Sequence, residues 1–202
     1  MPTVIVLEDL EKAADDVIRD LEEHVSGPRL RFEKVNYLDG QGVPKTPQFV
    51  AEETHEIIAK GQDRVALLVD LSVISVKKNE SYGLHVISKV AELASPGTRT
   101  ADFLLNDNIF VIIVSHFNID QTEMQNIWHS RQREVAVISL VDNAAVESVV
   151  KNLQARSGKR AKEKILPILF KGKHDVCLWR LIEEWAKLNI RKSGGRDSRR
   201  RP

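Results

Sequence analysis

Two apolar runs in this chain stop abruptly on acid. Val4-Ile5-Val6-Leu7 runs into Glu8 and Asp9, and Val65-Ala66-Leu67-Leu68-Val69 ends on Asp70. Branched apolar runs of this kind read as strands buried on both faces of a parallel sheet. In open sheets of that class, ligands bind outside the carboxyl ends of the strands, where the strand order reverses. With the first and third strands adjacent at that point, Glu8 and Asp9 come to lie beside Asp70. Like charges so placed repel, and a cation or a proton must resolve the conflict. Carboxylate oxygens and a backbone carbonyl, with water completing an octahedron, are what Mg²⁺ accepts. Such an ion would also neutralise an incoming phosphoryl group and let a carboxylate act as its nucleophile. A lone strand-end Asp can simply cap the loop or helix after it; the convergence of three acids is what favours a pocket. Ser115, where the run Ile109-Phe110-Val111-Ile112-Ile113-Val114 stops, is a further candidate on the same rim.

The elements that would hold these residues follow from the alternation of strand-length apolar runs with stretches of helical period. Residues 4–7, 30–38, 65–69, 109–114 and 135–140 predict strands. Helices are predicted from Leu10 to the Ser26-Gly27-Pro28 stop, from Thr46-Pro47 to Gly61, from Tyr82 to the Ser95-Pro96-Gly97 stop, over 124–133 and over 144–153. Strand followed by helix, five times over, predicts an α/β fold with a doubly wound five-stranded parallel sheet, flavodoxin-like, of order 2-1-3-4-5. This α/β domain spans residues 1–153. Residues 154–190 then read as a basic linker, a short apolar segment at 165–170 broken by Pro167, and an amphipathic helix marked by Val176, Leu178, Trp179, Leu181, Ile182, Trp185 and Leu188. Trp179 and Trp185, six apart, do not share one narrow stripe, so either one packs on the body with the other partly exposed or the helix is a partner surface. Residues 191–202 carry six Lys and Arg and no large apolar side chain, so a disordered basic tail is expected.

The Leu7-Glu8-Asp9 segment, the strand ending on Asp70, the Tyr82-Gly83-Leu84 helix start and the Ser115 strand end together resemble the receiver domain of two-component response regulators, over residues 3–153. The resemblance implies that Asp70 is the phosphoacceptor. It implies that Glu8, Asp9, Asp70 and the backbone carbonyl of Ser72 hold Mg²⁺, and that Ser115 bonds the phosphoryl oxygen and reports phosphorylation. It further implies a stand-alone signalling protein rather than an enzyme, with a histidine kinase or phosphotransfer protein as donor and a downstream protein as target. Receivers carry Lys-Pro at the end of the fifth strand. Here Ile138-Ser139-Leu140-Val141-Asp142 has neither, and the loop after Asp70 is longer, passing Lys77 and Lys78 before Gly83. Two other readings of the same acids are a pseudo-receiver that binds partners constitutively and a Mg²⁺-dependent phosphoryl-transfer enzyme. Against the latter, the chain has no Gly-x-x-x-x-Gly-Lys phosphate loop, and Asp70-Leu71-Ser72 lacks the second acid of an Asp-x-Asp motif.

Composition narrows the field. The 202 residues are 42% hydrophobic and 29% charged, proportions that let a chain of this size bury a core unaided. Cys177 is the sole cysteine, which excludes an internal disulfide and a cysteine-rich zinc site and fits a reducing compartment. The histidines show no zinc-ligand spacing. Apolar runs fall far short of the roughly 18 residues a membrane span requires, and no basic segment precedes the first strand as in a secretory signal. A cytoplasmic protein is the expectation. Residues 1–150 hold 14 Lys and Arg against 24 Asp and Glu, a net of −10, whereas residues 151–202 hold 16 against 5, a net of +11. No helix-turn-helix follows the α/β region and the tail has no aromatic residues to stack on bases, so specific DNA binding is not expected. The amphipathic C-terminal helix must bury its face on the α/β body or on a second copy in a homodimer.

Overall fold

Branched apolar runs form the strands and the amphipathic stretches between them form the helices. Their order is β1 (Thr3–Glu8), α1 (Glu11–His24), β2 (Arg31–Asn36), α2 (Pro47–Lys60), β3 (Val65–Asp70), α3 (Tyr82–Ala94), β4 (Ile109–Ser115), β5 (Val135–Ser139), α4 (Asn143–Arg156), β6 (Lys164–Phe170) and α5 (Asp175–Ser193). The structure, a computed structural model, describes residues 1–27, 29–60, 64–71, 82–94, 108–115, 135–156, 164–170, 172 and 175–193. The expected helix over 124–133 lies outside them. Local chemistry sets the starts of α2 and α4. Pro47 opens α2, where its missing donor costs nothing, and the Thr46 hydroxyl accepts from the Phe49 N–H at 3.2 Å. The Asp142 carboxylate does the same for α4, accepting from the Ala145 N–H at 2.8 Å.

The strands form one all-parallel sheet of order β2-β1-β3-β4-β6-β5. Successive side chains of a strand point to opposite faces, and each face has its own core. Ile5, Leu7, Leu67, Val69, Val111 and Ile113 pack with α2 and α3 through residues such as Val50, Leu84 and Ile87. Val4, Val6, Ala66, Leu68, Phe110 and Ile112 pack with α1, α4 and α5 through residues such as Leu21, Val149 and Leu181.

The sheet departs from expectation in strand number and order: it has six strands rather than five, and β4 borders β6 rather than β5. The segment taken for a proline-broken piece of linker is β6. Pro167 argues against a central strand because it cannot donate to a ladder. The register shows how the strand accommodates it. Pro167 stands opposite Ile138 of β5, and pairing with β4 runs from Ile168 to Phe170, so it begins one residue beyond the proline. Leu166, Ile168 and Leu169 are buried, whereas residues 136–139 of β5 are only half-buried. The outer position thus fell to the strand with less to bury.

The C-terminal helix packs on the sheet. Trp185 is 2% exposed, its ring centroid 6.4 Å from that of Phe110. Trp179, on another side of the helix, is half-buried and stacks on His24 at the end of α1, with 3.8 Å between centroids and 8° between planes. Helix α5 continues to Ser193, past the point where a disordered tail was expected to begin, and residues 194–202 lie outside the described set. Among the described residues no helix is long and apolar enough to cross a membrane. Because Trp185 fills the core between α5 and β4, Trp185→Ala is expected to cost about 3–5 kcal/mol, read as a lower urea midpoint with an unchanged slope. A midpoint equal to that of the wild type would show that α5 does not contribute to this core.

Candidate functional site

The carboxyl end of the sheet brings the three predicted acids together. Glu8 is the last residue of β1 and Asp70 the last of β3, and because Leu7 pairs with Val69, the next residues on the two strands are neighbours. Glu8, Asp9 and Asp70 each offer a carboxylate oxygen, and these atoms lie within 4.8 Å of one another. All three residues are buried, at 3%, 2% and 2% exposure. Such burial is unusual for acids, whose charge is costly to remove from water. The Glu8 carboxylate also accepts from the Asp9 N–H at 3.2 Å, which holds the adjacent acid against it. Ser115 is the last residue of β4 and 1% exposed, one step past Val114, the register partner of Asp70. Ser72, expected to offer its carbonyl, lies outside the described residues, as do Lys77 and Lys78.

Two residues on which the sequence reading placed no role press on Asp70 itself. Tyr37 follows β2, and its ring reaches under the sheet end so that its hydroxyl donates to the Asp70 carbonyl oxygen at 2.7 Å. Its own N–H donates to the Glu8 carbonyl at 2.9 Å. Burial, and then the charges of Asp70 and Glu8, push this hydroxyl well above the ordinary tyrosine value, so it remains a donor. The ring packs tilted on Tyr82, with 4.8 Å between centroids, and the Tyr82 hydroxyl donates to the Lys45 carbonyl at 2.7 Å. Burial, followed by the charge of Glu53, pushes the Tyr82 hydroxyl up to about 12. The signal for Tyr37 was its position at the carboxyl end of a strand beside β1, on the rim where the acids converge.

Gly83 is the second. Its N–H donates to the Leu71 carbonyl at 3.2 Å, so α3 begins hard against the end of β3. A side chain there would collide with the Asp70 carbonyl oxygen and stand 2.9 Å from Val69 Cγ1. Glycine here provides close approach of two backbones.

Beside the acids, at the β2 edge, a cavity of about 390 Å³ lies between α1 and α2, lined by Glu8, Lys34, Asn36, Lys45 and Glu53 among others. Its lysines are engaged: Lys34 with Glu11 and Asp15, both at 2.9 Å, Lys45 with Glu53 at 2.8 Å, and Lys60 with Glu56 at 3.3 Å. Glu8 thus lines this cleft and belongs to the acidic cluster.

Comparison of the chain with protein-family profiles, curated protein sequences and solved structures finds no match.

Gly83→Ala would set a rigid Cβ against backbone, which cannot step aside as a flexible side chain can. It is expected to cost about 1–3 kcal/mol, as overpacking does, measured as a lower thermal midpoint. An unchanged midpoint would show that the approach of α3 to Asp70 is loose.

Proposed function

We propose that this protein is a receiver-like signalling module in which Asp70 accepts a phosphoryl group in a Mg²⁺-binding pocket and whose output is a protein contact. The observation that carries the reading is the burial of Glu8, Asp9 and Asp70 with carboxylate oxygens within 4.8 Å of one another. The donor set fits the ion: it consists of hard oxygens alone, the kind Mg²⁺ prefers. Glu8, Asp9 and Asp70 would hold it, with the Ser72 carbonyl as a further ligand. Bound there, it would supply charge neutralisation to the incoming phosphoryl group. Asp70 acts as nucleophile. Its carboxylate oxygen bonds to phosphorus as the bond from phosphorus to the donor's leaving group breaks, and the leaving group departs with that electron pair. The Ser115 hydroxyl donates to a phosphoryl oxygen from the end of β4. The donor would be a histidine kinase or a phosphotransfer protein, as the resemblance to receivers implies.

The strand order supports this reading on a point where the sequence departed from the family. Strands β2-β1-β3-β4 follow the flavodoxin-like arrangement, and β6 stands beside β4 where the family has its fifth strand. The residue to compare with the receiver lysine is therefore the one after β6 rather than the one after β5. The sequence there reads Phe170-Lys171-Gly172. Lys171 itself lies outside the described residues.

Incubation with acetyl phosphate and Mg²⁺ is expected to add the mass of one phosphoryl group to the wild type and none to Asp70→Asn, by intact mass measurement. No adduct on a wild type that binds Mg²⁺ would overturn the phosphoacceptor role and favour constitutive partner binding. Asp9→Asn is expected to weaken Mg²⁺ binding by about tenfold or more, since even outer partners of a metal site are worth that much. Without metal the same substitution removes repulsion and should raise stability by about 0.5–2 kcal/mol. Equal Mg²⁺ affinity in the two proteins, by calorimetry, would remove Asp9 from the site.

A further inference from the structure

The carbonyl of Asp70 is held from two sides. From below the sheet end, the Tyr37 hydroxyl donates to it at 2.7 Å. From the start of α3, Gly83 approaches so closely that no side chain fits between. A carbonyl fixed in this way fixes the peptide plane that follows the Asp70 Cα, and with it the direction in which the carboxylate leaves the main chain. Tyr37 is fully buried.

The same tyrosine ties a loop to the pocket. The Tyr37 carbonyl accepts from the Lys45 N–H at 2.8 Å, and Asp39 and Val43 close the turn between them with a bond of 2.8 Å. Tyr82 completes the tie, since its ring rests on Tyr37 and its hydroxyl donates to the Lys45 carbonyl. Lys45 in turn pairs with Glu53 on α2 and lies over the half-exposed Phe49 ring, 5.4 Å from its centroid. We propose that Tyr37 is a positioning residue for Asp70, its hydroxyl setting the main chain that aims the carboxylate. The inference rests on the reading of that pocket as a Mg²⁺ site.

The chain has two tyrosines, Tyr37 and Tyr82, so labelling at the ring carbon that bears the hydroxyl gives two resonances, assignable with Tyr37→Phe and Tyr82→Phe. Titration of the full chain with Mg²⁺ alone is expected to shift the Tyr37 resonance along the same curve that calorimetry gives for binding. Tyr37→Phe keeps the ring and its contact with Tyr82 and removes only the bond to Asp70. It should weaken Mg²⁺ binding by about threefold to tenfold, the range one hydrogen bond supplies. Tyr82→Phe removes a bond of the same kind that does not reach Asp70 and should leave the affinity within about twofold. Equal weakening by both variants would show a merely structural role for Tyr37 and overturn the proposal. So would a Tyr37 resonance that stays still while the wild type binds the metal. A wild type that binds no Mg²⁺ at all would instead defeat the reading of the pocket, and the positioning role would fall with it.

Discussion

Three buried carboxylates at one end of the sheet are the constraint around which the rest of this structure is arranged. A charge removed from water is costly, and three of like sign side by side are more costly still. A fold keeps such a cluster only where its scaffold is rigid enough to hold it. Here the scaffold consists of β1 and β3, both buried along their whole length on both faces. The two strands end level, and the pairing of Leu7 with Val69 delivers Glu8 and Asp70 to the same height. Among the described residues near that point, Asp9 is held by the Glu8 carboxylate, the Asp70 carbonyl by Tyr37, and the first turn of α3 by the close approach of Gly83.

The C-terminal quarter of the chain serves this scaffold. Strand β6 covers the edge of β4, the strand that carries Ser115, and would leave it unpaired if absent. Helix α5 completes the core on the face shared by α1 and α4. The excess of positive charge in this quarter is therefore built partly into the sheet and its helical layer. Arg180, for example, reaches Asn143 of α4 at 2.9 Å.

Much of this was legible in the sequence. Abrupt endings of branched apolar runs on Glu8, Asp9 and Asp70 announced both the strands and the cluster, because a strand buried on both faces has no reason to end in acid unless its end faces something polar. The spacing of Trp179 and Trp185 left two readings open, one ring packed on the body with the other partly exposed, or a helix face for a partner, and the burial of Trp185 beside a half-buried Trp179 agrees with the first. Strand β6 was missed because Pro167 reads as a breaker, and only the register shows that pairing with β4 begins beyond it. The order of β5 and β6 was illegible for a related reason: both are short apolar runs, and which one is interior depends on what each must bury against the helices. Tyr37 and Gly83 were missed as parts of the site because they act on a backbone atom of Asp70. No spacing of chemically active side chains marks such a contact.

Holding the acids together has a thermodynamic consequence that belongs to the whole molecule. An ion that binds the folded pocket and not the unfolded chain must stabilise the fold by mass action, by about 2.7 kcal/mol at one hundred times its dissociation constant. The most direct measurement is the urea midpoint of the wild-type protein as Mg²⁺ is raised from zero at constant ionic strength. The midpoint should climb with the logarithm of Mg²⁺ concentration once the site begins to fill. A midpoint that stays level from chelator to tens of millimolar Mg²⁺ would contradict the account, because it would mean that the three carboxylates are held together without the ion.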